Sequence, residues 1–229
     1  MSNLAGNFAV LEQRIEQACQ EHHCARPLLL AVSKTRVADE LRQAYQLGLR
    51  AFGENYLQEA LAKQHELHDL AIEWHFIGPV QSNKARAIAE HFAWVHSVDR
   101  FKVAQKLSAA RAESGEGQPL NICLQVNIDR APSKSGVLPQ DLQPLLAQCS
   151  ELPHLQVRGL MAIPDAMATF EAQYQPLADL AACLHGCQQA FPQLPLDTLS
   201  MGMSGDLEAA VAAGSTILRI GTDLFGARH

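Results

Sequence analysis

Eight short apolar runs, separated by stretches with helical spacing, restrict the fold of this chain more than any other feature. The runs lie at 28–34, 51–55, 73–78, 94–98, 121–128, 156–163, 198–203 and 216–221. The helical stretches lie at 38–47, 56–67, 83–91, 100–112, 139–149, 170–189 and 206–213. Strands that alternate with helices signal repeated βα units over a parallel sheet, and eight such strands close a TIM barrel. Gly48 and Gly214 fall just past two of the helical stretches, where a left-handed residue favours glycine. A further amphipathic segment, 8–19, carries Phe8, Val10, Leu11, Ile15 and Ala18 on roughly one helical face. Because the chain stops soon after Thr222, this segment is expected to cover the barrel where a helix after the eighth strand would otherwise lie. With no internal repeat or linker in the pattern, the expected fold class is α/β. It is a single-domain TIM (β/α)8 barrel over 28–229, with an additional N-terminal helix within 1–27.

Charge and cysteine usage narrow the function classes. With 24 acidic against 18 basic residues the formal net charge is −6, so nonspecific attraction to nucleic acid or to an anionic membrane is disfavoured. Any anion site must be local. The six cysteines are scattered rather than dense, the pattern of reduced thiols in a cytoplasmic protein. Met1-Ser2-Asn3-Leu4-Ala5-Gly6 lacks the basic-then-apolar pattern of a leader, and no apolar run approaches the length of a membrane span. Cys19-Gln20-Glu21-His22-His23-Cys24 and Cys183-Leu184-His185-Gly186-Cys187 contain metal-ligating residue types. Neither has the paired spacing of a structural zinc site, so no metal is expected. The segment 114–119 reads as a plain connector rich in turn residues.

In such a barrel the ligand sits at the C-terminal ends of the strands, so the residues closing each run matter most. Lys34 closes the first. A lysine there can be kept neutral by desolvation and can attack a carbonyl to form a Schiff base, which a solvated lysine does poorly. At the far end of the chain, Arg219-Ile220-Gly221-Thr222 closes the eighth run, and Ser204 is placed to cap the helical stretch that begins at Gly205-Asp206-Leu207. The unpaired amides of a helix start bind anions, and Gly221 and Thr222 add two amides and a hydroxyl. Asp206 cuts against this, since an acid there can satisfy the helix end itself. An amine at one end and a phosphate cradle at the other fit an aldehyde that carries a phosphate, with pyridoxal 5′-phosphate (PLP) as the first candidate. Arg219 is in phase with Gly221 and so faces the same cavity. There it either meets the ligand or bridges to Asp223 or Glu54. His75, in an aromatic run, reads as a hydrogen-bonded core residue behind the site. Met201 closes the seventh run near the site, and Lys134 sits in a flexible loop over 129–136, solvated or serving as a second amine that transiently accepts the aldehyde.

Several motifs in order resemble those of the pyridoxal-phosphate homeostasis proteins (YggS/PROSC type), a family similar to the barrel domain of bacterial alanine racemase. They are Ala31-Val32-Ser33-Lys34-Thr35, Phe52-Gly53-Glu54-Asn55-Tyr56, Trp74-His75-Phe76-Ile77-Gly78, Ser133-Lys134-Ser135-Gly136, Arg158-Gly159-Leu160-Met161, Leu199-Ser200-Met201-Gly202-Met203-Ser204 and Arg219-Ile220-Gly221-Thr222. The resemblance implies PLP held by Lys34 as a Schiff base, a phosphate bound by Ser204, Gly221 and Thr222, Arg219 near the ring, and Asn55 at the ring's polar edge. It also implies a carrier or buffer of PLP that influences vitamin B6 and amino-acid balance, with PLP-dependent apoenzymes as recipients. A PLP-dependent racemase or decarboxylase is the enzymatic alternative, and a cofactor-free lysine aldolase a third. An alanine-racemase-like enzyme takes its second acid/base tyrosine from another domain, whereas Tyr45, Tyr56 and Tyr174 lie in helical stretches here rather than at strand ends. A monomer is expected.

Overall fold

In the computed structural model, residues 3–115 and 117–227 are described. Met1, Ser2, Glu116, Arg228 and His229 lie outside the described residues, and with them parts of the expected leaderless N-terminus, of the 114–119 connector and of the 1–229 span. Eight parallel strands close into a barrel in chain order. They are β1 (Leu28–Val32), β2 (Ala51–Glu54), β3 (Glu73–Phe76), β4 (Trp94–Val98), β5 (Leu120–Gln125), β6 (Leu155–Met161), β7 (Thr198–Ser200) and β8 (Ile217–Ile220). The helices are α1 (Leu4–Glu21), α2 (Ala38–Gln46), α3 (Leu57–Glu66), α4 (Ala85–His91), α5 (Phe101–Ser114), α6 (Leu142–Ser150), α7 (Phe170–Ala190), α8 (Leu207–Ala212) and α9 (Thr222–Phe225). Closure is set by β1 against β8, where Leu30 pairs with Arg219 and Ala31 with Ile220.

Alternation along each strand divides the side chains between two environments. Outward residues such as Phe52, Phe76, Leu160 and Leu218 pack beneath the helices in one continuous core, each contributing about 1.5–3 kcal/mol by leaving water. Inward residues form two small apolar clusters, one around Leu30, Ala51 and Ile217 and one around Trp94, Cys123 and Met161. Buried polar side chains, His75, His96, Ser200 and Arg219 among them, occupy the interior between these clusters.

The eight strands stand where the apolar runs place them, but several boundaries differ for physical reasons. β1 ends at Val32, two residues early, because Ser33–Arg36 turns sharply. β7 stops at Ser200 because Gly202 has φ +93, and a Cβ there would lie 2.5 Å from Ala210 Cβ. The N-terminal helix starts at Leu4 rather than residue 8, since the Asn3 side chain accepts the Gly6 amide at 3.1 Å and caps it. α5 runs past residue 112 to Ser114 and ends at Gly115 with φ +73. A short helix, α9, follows β8 where none was expected. α1 lies against α8 and α9 all the same: Arg14 spans Glu208 (2.9 Å) and Asp223 (2.5 Å), and Asn7 donates to the Leu224 carbonyl at 3.1 Å. No helix among the described residues is long and apolar enough to cross a membrane. All six cysteines are free thiols.

Candidate functional site

The loops at the C-terminal ends of the strands enclose a pocket lined by Lys34, Asn55, Ser204, Arg219, Gly221 and Thr222. All six side chains or backbones singled out for ligand contact thus meet in one place, with Val32 and Ile77 as apolar walls. Lys34 reaches it from a strained turn. The Arg36 amide closes on the Ser33 carbonyl at 3.0 Å, with Lys34 and Thr35 as the central residues. Thr35 has φ +67, a left-handed conformation that costs a β-branched residue about 1–3 kcal/mol.

A clamp from the helix layer holds that turn. The Thr35 amide donates to Glu59 at 2.5 Å. Lys63 Nζ donates to the Ser33 carbonyl (2.7 Å), Glu54 (2.6 Å) and Glu59 (2.5 Å). Ser33 Oγ also donates to Glu54 at 2.6 Å. Lys63 and Glu54 are buried, and burial raises the Glu54 pKa against the opposing pull of Lys63 and Ser33. Nothing in the apolar pattern marks Lys63, although its i,i+4 spacing from Glu59 is a signal that the two pair. Arg36, which also lines the pocket, donates to the Gly226 and Ala227 carbonyls and was not singled out from the sequence.

At the Ser204–Thr222 end of the pocket the helix assignment changes. Ser204 does not cap α8, whose N-cap is Asp206, and Asp206 turns back to accept the Met203 amide at 2.6 Å. The Ser204 hydroxyl instead accepts the Asp223 amide at 3.3 Å, so Ser204, Gly221 and Thr222 gather at the start of α9. Asp223, the acid in that first turn, is drawn aside by Arg14. The amides of a first helical turn have no partner within the helix.

Arg219 takes neither of the ion pairs considered for it. Asp223 pairs with Arg14 and Glu54 with Lys63, while the Arg219 guanidinium donates to the Ser200 carbonyl, to Ser200 Oγ at 3.0 Å and to the Ala162 carbonyl at 2.9 Å. Burial pushes its pKa down to about 10, with Asp206 opposing, so it remains charged at neutral pH. Asn55 Oδ1 is buried without a hydrogen-bond partner, an arrangement that costs about 1–3 kcal/mol until a donor arrives.

The residues placed behind the site separate. His75 is fully buried in the barrel interior, bonded to Glu73 (2.9 Å) and His96 (2.8 Å). Met201 points away from the pocket into the core beneath the helices, because β7 has already ended and the chain turns outward. Lys134 is not a solvated loop lysine: Asp129 (2.5 Å), Asp165 (2.7 Å) and the Ile163 carbonyl (3.1 Å) hold it. Burial alone would lower its pKa, but the two aspartates outweigh burial and raise it, which keeps the amine protonated. The loop around it is tied down by Asn127, which bonds the Ala131 and Lys134 carbonyls and the Ala131 amide.

The model of the alanine racemase N-terminal domain matches residues 3–229. The pyridoxal phosphate homeostasis protein of Pseudomonas aeruginosa is 55% identical over 100% of this chain and 97% of its own length. The chain belongs to the pyridoxal phosphate homeostasis protein family. Within this family the PipY protein of Synechococcus elongatus PCC7942, whose structure was solved with PLP bound, is 42% identical, with a TM-score of 0.87 over 98% of this chain and 100% of PipY. An alanine racemase of Clostridium difficile 630, 13% identical, shares the barrel alone: its TM-score is 0.73, over 98% of this chain and 56% of the racemase. The pyridoxal phosphate homeostasis proteins and the racemase N-terminal domain therefore share one closed eight-stranded frame.

Proposed function

We propose that the pocket holds PLP covalently through Lys34, and that the protein serves PLP homeostasis and amino-acid balance rather than efficient turnover. When bound, PLP supplies an aldehyde that condenses with a primary amine and a ring that withdraws electrons. The residues present suit it. Lys34 provides the amine, the Ser204 hydroxyl and the Gly221 and Thr222 amides suit a phosphate, and Asn55 Oδ1 lacks the donor that a ring hydroxyl would bring. Arg219 is a donor only, so beside the ring nitrogen it would leave that nitrogen unprotonated. The observation that carries the reading is the convergence of an amine, a helix start and an orphaned acceptor on one pocket.

A carrier is favoured over a racemase or decarboxylase because Tyr45, Tyr56 and Tyr174 line no part of the pocket, leaving no candidate tyrosine opposite Lys34. A monomer is the proposed state, and six free thiols suit the reducing cytoplasm. PLP-dependent apoenzymes are the proposed recipients. The test is absorbance of the protein with PLP, then borohydride reduction and peptide mapping. We expect a band near the visible edge and a pyridoxyl adduct on Lys34, both absent in Lys34→Ala. A colourless protein that cleaves aldols, or alanine racemisation on the order of 1 per second or faster, would reverse the assignment.

A further inference from the structure

Below the pocket, the barrel interior carries a row of polar side chains that the proposed ligand contacts do not use. Glu73 Oε1 lies 2.9 Å from His75 Nε2, His75 Nδ1 lies 2.8 Å from His96 Nε2, and His96 Nδ1 lies 2.7 Å from Ser200 Oγ. Ser200 Oγ in turn accepts from Arg219 at 3.0 Å. The row starts at the first residue of β3, where Glu73 is half exposed, and ends at a side chain that lines the pocket. His96 on β4 and Ser200 on β7 belong to strands that are not neighbours in the sheet, so their bond crosses the lumen. His75 stacks on Trp94 at 5.5 Å and 3°, and the Arg158 guanidinium lies over the Trp94 ring at 5.1 Å.

The direction of every bond follows from one end. The His75 hydrogen bond keeps the Glu73 carboxyl below its usual range in spite of partial burial, and an ionised carboxylate only accepts. His75 Nε2 therefore carries a proton. Burial holds both imidazoles neutral, so His75 Nδ1 is an acceptor and His96 Nε2 must donate to it. His96 Nδ1 is then an acceptor as well, and the Ser200 hydroxyl must donate to it, which leaves the Ser200 lone pairs for Arg219. Each donor meets one acceptor, from the guanidinium to the carboxylate.

We propose that Glu73, His75, His96 and Ser200 are positioning residues for Arg219, joined in a one-directional hydrogen-bond relay that crosses the barrel and fixes the guanidinium on the pocket wall. The relay is a property of the unloaded chain. Its link to a ligand rests on the PLP reading above. A ring that engages Arg219 alters the electron density at Ser200, and His96 senses it although His96 is not part of the pocket lining.

Nitrogen NMR of histidine-labelled protein at neutral pH, without cofactor, tests the relay itself. Both rings are expected to be neutral with the proton on Nε2, and a scalar coupling is expected across the His96–His75 bond. A proton on Nδ1 of either ring, or a cationic ring, overturns the proposal. PLP is then added while its absorbance is followed. Saturation should shift the His96 nitrogens. Ser200→Ala should abolish that shift and weaken PLP retention roughly tenfold, the scale of one lost hydrogen bond to a charged group, and Ser200→Thr should restore both. Unmoved His96 signals at full PLP occupancy, or unchanged retention in Ser200→Ala, overturn the positioning role, and the wild-type measurement decides even if a variant fails to fold. Absence of any PLP band with the expected tautomers intact overturns the PLP reading and leaves the relay standing, so the two failures are told apart.

Discussion

Replacing Lys63 with methionine tests whether the clamp beneath Lys34 is held by a buried charge. The Lys63 side chain is 6% exposed and its partner Glu54 is 0% exposed, while Glu54 Oε2 has no partner even in the intact protein. Methionine keeps the apolar stem and similar volume, so the loss is mainly electrostatic: an uncompensated carboxylate in the interior, worth about 3–5 kcal/mol. Burial already raises the Glu54 pKa, and Lys63 opposes that rise, so the variant should raise it further. A carboxyl with a raised folded pKa contributes its stability below the unfolded pKa and loses it as pH rises through the folded one. Urea unfolding, followed by two probes, should show a midpoint lower by about 1–2.5 M at pH 8, for a slope of about 2–3 kcal/mol per M. At pH 5 the deficit should shrink toward the ~1–3 kcal/mol of a neutral buried group. Adding Glu54→Gln should restore most of the stability at pH 8, because no charge is then left alone. A deficit below about 1 kcal/mol at pH 8, or one of equal size at both pH values, refutes the reasoning.

Gly159→Ala should abolish soluble folding or cost more than about 4 kcal/mol, because its Cβ would fall 1.8 Å from the Thr198 carbonyl oxygen. Gly48→Ala, with φ +104 but open space around it, should cost only about 1 kcal/mol in the same denaturation assay. His75 and His96 have folded pKa values below the ordinary 6.5, so the stability they contribute is complete above pH 6.5 and is lost as pH falls through the folded values. Melting temperature should therefore decline from pH 7.5 toward 5, and the His75→Gln/His96→Gln pair should show a shallower decline. Asp129→Asn/Asp165→Asn should lower the Lys134 pKa by removing the two groups that raise it, and PLP with borohydride should then label Lys134 as well as Lys34, whereas the wild type is labelled at Lys34 alone.

The sequence order of strands and the residues closing them were readable because alternation and punctuation act locally. Lys34, Asn55, Arg219 and Gly221 follow from that pattern, since a barrel gathers whatever ends its strands. What escaped depends on contacts distant in sequence. Lys63 looks like any helical lysine until α3 turns it inward over Ser33. His96 sits in Trp94-Val95-His96-Ser97-Val98, where alternation gives its face but not its partner 104 residues away. Local sequence points Ser204 to the nearer helix, and the geometry of Gly202 and Asp206 directs it to α9 instead. Loop composition makes Lys134 look solvated, because it contains no information on Asp165.

The two ends of the pocket differ in their access to water, and that difference bears on how a carrier could release its ligand. Arg219 is 5% exposed and tied to three oxygens, and Asn55 Oδ1 is out of contact with solvent. Thr222 and Met203, by contrast, are exposed, and Ser204 and Gly221 are half-buried. A phosphate at the open end exchanges its protein hydrogen bonds for water at little cost, since a net intramolecular hydrogen bond is worth only about 0.5–1.5 kcal/mol. In the proposed arrangement the ring end would hold orientation while the phosphate end opened, and the clamp on Ser33 and Thr35 would keep the Lys34 turn in place at the pocket after the ligand had left. Such a site stays ready for recapture without a lid, which suits storage and transfer. An enzyme has more to gain from closing the open end, because excluding water strengthens every charge interaction inside it.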